Sequence, residues 1–407
     1  MSAEIFPKTD ALPAPGHSAA SHERVVRAGN PASLLALIPH LLGFTPDHCI
    51  VVLGAEPPRG RVRVTMRFDL PGAPDAETAA GIADRALGIL ADQGLTAGAV
   101  AGYGPGAAVT PLADALRSQA ADAGIHLAEV LRAEGGRYWS YLCTDPSCCS
   151  PDGEPYDVAS HPVTAAFAEA GAPPVLASRE ELSAMVSMLG GEAGEAMSQA
   201  TTRAQQRADR LAAMATDSGD TAATRRLIAT AGLDAVRQAL DACRNGGELP
   251  SDDDAAWLLL ALGDLRVRDD AWSRMDPGHR DAHLLLWADL TRRARPGYVA
   301  PVASLLAFVA WQNGNGALAN VALDRAQADS PGYTMAQLLR EVIDSGAPPS
   351  LSRPPMTPEE VAASYDDEEA AAACGACADG ASLTGYGCHD LEDACAIADS
   401  PASRPAA

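Results

Sequence analysis

Three cysteines lie close together in the segment LCTDPSCCSPDGEP. Cys143, Cys148 and Cys149 are accompanied there by Asp145. Thiols at this density can ligate zinc together with a fourth group such as His161, form a redox pair, or supply a nucleophile. The spacing is not that of a CxxC knuckle, and adjacent cysteines rarely ligate one tetrahedral ion, so structural thiols are the simpler interpretation. The segment is therefore a candidate metal or redox site, and thiols with a purely structural role are the alternative.

A second group of thiols lies near the C-terminus. Cys374 and Cys377 form a CxxC, and Cys388, His389 and Cys395 follow. Two cysteine pairs, or three cysteines and a histidine, suffice for one zinc ion. The flanking sequence AAACGACADG contains none of the bulky apolar residues from which a small zinc module builds its core. We therefore expect an unstructured tail, with zinc as the alternative, and predict no other cofactor.

A glycine-rich turn, AGYGPGAAVT, is the candidate ligand-binding segment. Gly102, Gly104 and Gly106 follow a predicted strand and precede a predicted helix, where α/β domains bind ligands. The GxGxxG spacing is not met and Pro105 removes a backbone donor, so ordinary turn glycines are the alternative. Asp145 joins the candidate ligand-binding residues, because a site at this sheet edge would combine the turn with the cysteine segment.

Other catalytic signatures are missing from the sequence. His279 and His283 have the i, i+4 spacing of a helical metalloprotease pair, but Arg280 occupies the position that requires glutamate. We interpret them as ordinary helix histidines. No GxSxG elbow is present. Lys8 is the only lysine, so the folded domains have no Schiff-base or P-loop lysine.

Length and charge limit the class of protein. At 407 residues the chain is long enough for two domains, and its net charge of −23 argues against nucleic acid as a partner. No run of about 18 apolar residues occurs, which excludes a membrane span. Because the N-terminus does not have the pattern of a signal peptide and the nine cysteines are odd in number, we expect a cytoplasmic protein with reduced thiols.

Strand and helix signals alternate between residues 28 and 160. The predicted strands are residues 49–55, 61–70, 97–103, 127–132 and 137–143, and the predicted helices begin at residue 31 or 33, at 75 and at 111. Ser33 is expected to cap the first helix and Pro39 to kink or end it. This alternation predicts an α/β domain, a mixed sheet with flanking helices.

From residue 161 to 348 the helix signals follow one another without strands. LLAFVAWQNGNGALANVALDRA predicts two apolar helices joined by an NGNG turn, and a third helix begins at Thr334. The spacing is similar to one tetratricopeptide (TPR-like) helical hairpin, and no second copy is visible upstream. We expect residues 1–27 to be flexible, and residues 349–407 to form a disordered acidic tail.

Four of these segments together resemble a known family. They are PASLLALIPHLLGFTPDHCIVVLG, the strand ending RFDLP, the loop WSYLCTDPSCCSPDGEP and the stretch LLAFVAWQNGNGALANVALDRAQADSPGYTMAQLL. In this order they are similar to the actinobacterial domain of unknown function 4192 (DUF4192), over about residues 28–346. The resemblance implies no activity, because the family has no assigned catalytic residues.

Three functions remain open at this stage. An interaction or regulatory protein, with a partner protein on the helical domain and a small-ligand site in the α/β domain, fits best because no catalytic motif is complete. The alternatives are an enzyme with its site at the Gly102–Gly106 turn and the Cys143–Cys149 loop, and a thiol redox or metal sensor. The ligand, the partner and the oligomeric state are not encoded in any motif.

Overall fold

The computed structural model describes residues 2–4, 25–145, 147–216, 221–351, 353–354 and 356–373. Two compact units divide the chain. The first comprises Met1–Ala184, Asn315–Ala317 and Val342–Pro348, and the second comprises Met185–Gly314, Leu318–Glu341 and Pro349–Ala407. The predicted helical domain begins at residue 161, whereas this division assigns two more helices to the first unit.

A mixed eight-stranded sheet forms the centre of the first unit, within the described residues. Its strands are β1 (Ser2–Glu4), β2 (Val25–Arg27), β3 (Cys49–Glu56), β4 (Arg61–Asp69), β5 (Ala97–Tyr103), β6 (His126–Glu134), β7 (Arg137–Ser140) and β8 (Glu154–Pro155). Their spatial order is β2-β1-β4-β3-β5-β6-β7-β8. The pairs β1–β2 and β5–β6 are parallel, and the other pairs are antiparallel.

Five helices accompany this sheet. They are α1 (Pro31–Leu42), α2 (Ala76–Asp92), α3 (Gly106–Asp122), α4 (Pro162–Glu169) and α5 (Arg179–Ala184). α2 and α3 pack on one face, where alternate apolar residues of β3 to β6 join their buried alanines and leucines. α1 packs against α4 and contacts β6. The prediction of an α/β N-terminal domain with a mixed sheet and flanking helices is confirmed.

Several predicted boundaries differ from the observed ones. Asn30, and not Ser33, caps α1: its side chain accepts the Ser33 amide at 2.8 Å, and the helix continues through Pro39 to Leu42. α3 begins five positions before Pro111, which lies inside it. Burial of the leucines of both helices outweighs the hydrogen bond lost at each proline.

Two short strands lie within the segment that was predicted to be flexible. β1 and β2 have three residues each, too few for a period of two to be visible in the sequence. β7 is likewise shorter than predicted, because it ends at Ser140 and not at residue 143.

The second unit is helical throughout its described residues. The helices that lie wholly or mainly in it are α6 (Gly191–Thr216), α7 (Thr221–Arg244), α8 (Asp252–Ala261), α9 (Leu265–Ser273), α10 (Arg280–Arg293), α11 (Val299–Gln312), α12 (Gly316–Asp329), α13 (Thr334–Asp344) and α14 (Pro358–Ala373). Short 3-10 helices cover Pro277–His279 and Pro349–Leu351. None of the helices in the described part of the chain has the length and apolar character needed to cross a bilayer.

α11 is the central helix of the second unit. All 14 of its residues are buried, so it is apolar on every side. The carboxylate of Asp329, at the end of α12, accepts the backbone amides of Gly297, Val299 and Ala300 at 2.7, 3.1 and 3.2 Å. It therefore caps the start of α11 from outside that helix. The succession of three helices is confirmed, and the likeness to a tetratricopeptide hairpin stays a prediction.

α14 corrects the expectation of disorder after residue 348. Thr357 and Glu360 form a reciprocal capping box at its start: the Glu360 amide donates to Thr357 Oγ1 at 3.2 Å and the Thr357 amide to Glu360 Oε2 at 2.7 Å. The helix packs on α9, where Val361 is 3% exposed. The prediction of disorder rested on composition and overlooked this start signal in TPEE. Residues 374–407 lie outside the described residues.

Candidate functional site

An open cleft of about 210 Å³ lies where the two parallel strands β5 and β6 end. In α/β sheets this edge is where ligands usually bind, because connecting loops leave the strands there in the same direction. The cleft is lined by Pro46, Asp47, His48, Tyr103, Gly104, Pro105, Ala133, Glu134, Gly135 and Tyr156.

Tyr103 is the last residue of β5 and lines this cleft. Its side chain is 6% exposed, and its hydroxyl has no hydrogen-bond partner among the described residues. Burial, with smaller contributions from Tyr156 and Cys49, raises the pKa of Tyr103 well above its usual value. The phenol therefore stays protonated. A buried hydroxyl that makes no hydrogen bond costs roughly 1–3 kcal/mol, which a ligand carrying an acceptor would offset.

The loop before β3 supplies the opposite wall of the cleft. His48 has a φ of 43°, in the left-handed region that side chains rarely adopt. The Asp47 carboxylate accepts the His48 amide at 2.9 Å, and the His48 carbonyl accepts the Leu70 amide at 3.0 Å. Gly104 faces this loop: a side chain there would lie 3.2 Å from Leu70 and 3.9 Å from His48 Nδ1. Glycine at 104 therefore allows a φ of 146° and the close approach of Leu70.

The charges that line the cleft are mainly negative. Asp47 and Glu134 contribute carboxylates, and His48 is the only basic residue of the lining. Arg132 lies next to the cleft, 3.4 Å from Glu134 and stacked on the Trp139 ring at 3.7 Å from its centroid. The lining thus carries two carboxylates as acceptors and the phenol of Tyr103, a set that suits a ligand rich in hydroxyl or amine groups.

The three candidate glycines have different roles in the structure. Gly102 contacts Val109 of α3 so closely that a side chain would overlap it, so it serves the packing of helix on strand. Gly106 begins α3, and its missing side chain makes room for the Arg132 guanidinium. Only Gly104 lines the cleft.

The loop Cys143–Cys149, which we name the thiol loop, brings its three thiols together. The Sγ atoms of Cys143, Cys148 and Cys149 all lie within 4.8 Å of one another. Asp145 lies in this loop, where its carboxylate accepts the amide and hydroxyl of Ser147 at 2.9 and 2.7 Å. Neither Asp145 nor a thiol is among the lining residues of the cleft.

The thiols of Cys143 and Cys149 differ in acidity. Hydrogen bonds from the Cys149 thiol and at the backbone of Asp145 lower the pKa of Cys143. The pKa of Cys149 is raised, first because its thiol donates a hydrogen bond to Cys143 and then by desolvation. The expected fourth ligand, His161, caps α4 by accepting the Val163 amide at 3.2 Å and does not join the group.

The remaining candidate residues belong neither to the cleft nor to the thiol loop. His283 is buried and His279 exposed, and both face Asp276, at 3.6 and 2.9 Å. Arg244 binds the same carboxylate at 3.1 Å, so a cation already occupies the position that a metal ion would need. Cys374, Cys377, Cys388 and Cys395 lie outside the described residues, and their zinc site stays a prediction.

The sequence predicted the glycine-rich turn at this sheet edge, but it did not predict the polar side chains that line the cleft. Tyr103, His48 and Glu134 belong to three separate segments, and only the sheet brings them together. A signal for Tyr103 was present: it is the only polar side chain in the apolar strand AGAVAGY, at the end where ligands bind.

Comparison with known proteins identifies a family and no activity. No curated protein and no solved structure gives a significant match to the chain. The family model described as "Domain of unknown function (DUF4192)" matches residues 31–350, which include the sheet from β3 onward, the cleft and the thiol loop. The resemblance read from the four sequence segments is thereby confirmed, and this chain belongs to the DUF4192 family.

Proposed function

We propose that this chain is a cytoplasmic regulatory protein that binds a small polar molecule in the cleft at the ends of β5 and β6. The observation that carries the proposal is Tyr103, which lines that cleft and whose buried hydroxyl has no hydrogen-bond partner among the described residues. Proteins rarely leave such a group without a partner unless a ligand or a water molecule supplies one. The free thiols of Cys49 and Cys243 support a reducing compartment.

The lining selects the class of ligand. Asp47 and Glu134 would repel a phosphate or a carboxylate, and they accept hydrogen bonds from hydroxyl or amine groups. The volume of about 210 Å³ is below the roughly 300 Å³ at which drug-sized pockets begin. An uncharged or cationic molecule about the size of a monosaccharide or an amino sugar fits both conditions.

The helical unit is the proposed surface for a protein partner. Met185, Met188 and Met214 are 52%, 48% and 73% exposed in this unit. Flexible, polarisable methionines are common on surfaces that bind other proteins. Their exposure supports an interaction role. Affinity capture tests it by comparing the proteins bound by the wild type with those bound by the Met185→Glu/Met188→Glu variant, which should lose the partner.

Substitution of Tyr103 by phenylalanine tests the ligand site without a known ligand. Because the hydroxyl is buried and has no hydrogen-bond partner within the part of the chain that the structure describes, Tyr103→Phe should leave the free energy of unfolding unchanged or slightly higher. Tyr141→Phe is the matched control. Its hydroxyl lies 2.8 Å from Thr110 Oγ1, so its loss should cost about 1 kcal/mol. Urea unfolding of the two variants measures the difference, and an equal loss for both would show that Tyr103 has an internal partner.

A thermal-shift screen then looks for the ligand itself. Sugars, amino sugars, nucleosides and polyamines are tested against the full chain. A true ligand should raise the melting temperature of the wild type and of the Tyr141→Phe variant. Most of this rise should be absent in Tyr103→Phe. Conversion of the hit by the wild-type protein would instead favour the enzyme, with His48 and Glu134 as the groups that can move protons. If all hits stabilise the Tyr103→Phe variant as well as the wild type, the cleft is not the binding site.

A further inference from the structure

The thiol loop is held in shape at its start by Ser140, the last residue of β7. Its Oγ accepts the amides of Leu142 and Cys143 at 3.2 and 3.1 Å. The Asp145 carbonyl then accepts the amides of both Cys148 and Cys149, at 3.1 and 2.8 Å. This turn brings two consecutive cysteines back towards Cys143.

The end of the loop is fixed to the sheet as well. Glu154 of β8 accepts the Ser150 amide at 3.1 Å through Oε1. Arg137 donates to the Gly153 carbonyl at 2.7 Å, and the Trp139 indole donates to the Pro151 carbonyl at 3.0 Å. Contacts on both sides therefore position the thiols, which lowers the entropy lost on binding an ion.

The distances between the thiols are close to those of a metal site. Zinc binds thiolate sulfur at about 2.3 Å, so two sulfurs of a tetrahedral site are about 3.8 Å apart. The three Sγ atoms here lie within 4.8 Å of one another without an ion. A shift of well under 1 Å for each sulfur, within the range of a small side-chain rotation, would close the site. The proximity of Cys148 and Cys149 to the same point answers the objection that adjacent cysteines rarely ligate one ion.

We propose that Cys143, Cys148 and Cys149 bind one zinc ion as thiolates and leave its fourth position to water or to an incoming ligand. Thiolates favour zinc over harder ions such as magnesium and calcium. No fourth protein ligand joins the three among the residues that the structure describes. Three protein ligands with one open position is the arrangement of a reactive zinc site and not of a closed structural one. This site is separate from the cleft of the proposed function.

The surroundings of the thiols favour a cation. The segment from Cys143 to Pro155 carries Asp145, Asp152 and Glu154 and no basic residue. Cys148 is exposed, and the other two thiols are half-buried, so an ion can reach them from solvent. Binding replaces the thiol protons, which pass to the solvent, so the affinity should fall as the pH falls.

The experiment must first remove the thiols of the tail, which are an independent candidate site. The background protein is the full chain with Cys374, Cys377, Cys388 and Cys395 changed to serine. On it are placed Cys143→Ser, Cys148→Ser and Cys149→Ser, one at a time, and Cys243→Ser as the matched control. The thiol of Cys243 donates to the Ala282 carbonyl in the helical unit, at 3.0 Å. Elemental analysis and titration with cobalt(II) under anaerobic, reducing conditions are the measurements.

The background protein and the Cys243→Ser control should each hold one zinc per chain, and cobalt(II) should give thiolate charge-transfer absorption. Each of the three loop variants should lose at least about tenfold in affinity while keeping the circular dichroism of the background protein. A background protein without stoichiometric metal would overturn the proposal. So would metal retained by all three loop variants, or a disulfide among the three thiols that persists under reducing conditions and excludes the ion.

Discussion

At the scale of single residues, His283 is the clearest case of a side chain whose environment sets its chemistry. It is 1% exposed, and neither ring nitrogen makes a hydrogen bond within the described structure. Burial lowers its pKa to about 4, and the nearby positive charge of Arg244 acts in the same direction, while Asp276 opposes it. The ring is therefore neutral in the folded protein at neutral pH.

This shift predicts a loss of stability in mild acid. The unfolded chain takes up a proton on this histidine below about pH 6.5, and the folded chain only near pH 4, so folding becomes less favourable as the pH falls between these values. The contribution amounts to about 2 kcal/mol between pH 7 and pH 5. Urea unfolding of wild type and His283→Leu at both pH values measures it.

The difference between pH 7 and pH 5 should be smaller by this amount in His283→Leu than in the wild type. An unchanged pH dependence in His283→Leu would mean that the ring is already protonated or hydrated in the folded state.

At the scale of elements, the contrast between β5 and α3 indicates what the sequence can determine. Both ends of β5 agree with the predicted strand, because β5 is a short apolar run bounded by turn residues. The start of α3 differs from the prediction, because Pro111 marks a helix start only when no burial before it extends the helix, and Ala108 and Val109 are buried before it. The cleft depends on contacts between segments far apart in sequence, so its turn was predictable from residue types and its unpartnered hydroxyl was not.

The cap that Asp329 provides for α11 leads to a prediction at this scale. Asp329→Ala removes the acceptor of three backbone amides, and we expect it to lower the free energy of unfolding by about 2 kcal/mol. Asp324→Ala is the control on the same helix. It breaks an exposed ion pair with Arg340, which is worth at most about 1 kcal/mol. Chemical denaturation compares the two variants, and a similar loss in both would argue against the cap.

At the scale of the whole molecule, the C-terminal segment divides into a part that packs and a part outside the described residues. α14 is attached to α9 by Val361, by the Tyr365 hydroxyl on Asp269 at 2.7 Å, and by the ion pair of Asp366 with Arg266 at 2.7 Å. We therefore expect α14 to contribute to the stability of the helical unit.

Two truncations separate these parts. A chain that ends at Leu351 loses α14 and exposes the apolar face of α9, so its free energy of unfolding should fall by roughly 2–4 kcal/mol. A chain that ends at Ala373 keeps the helix and should match the full chain. Urea unfolding and limited proteolysis compare the stability of each truncated chain with that of the full chain. Equal stability of both truncated chains would mean that the contact between α14 and α9 contributes nothing.

The complete burial of α11 has a consequence for how the helical unit folds. A helix that is apolar on every side gains no stability until neighbours cover all of its faces, so it cannot form early and wait for them. The helices around it must then assemble with it in one cooperative step. We expect partial opening only of helices that can detach without exposing α11, such as α14, which packs on α9. The other helices of the unit should unfold together in one cooperative step.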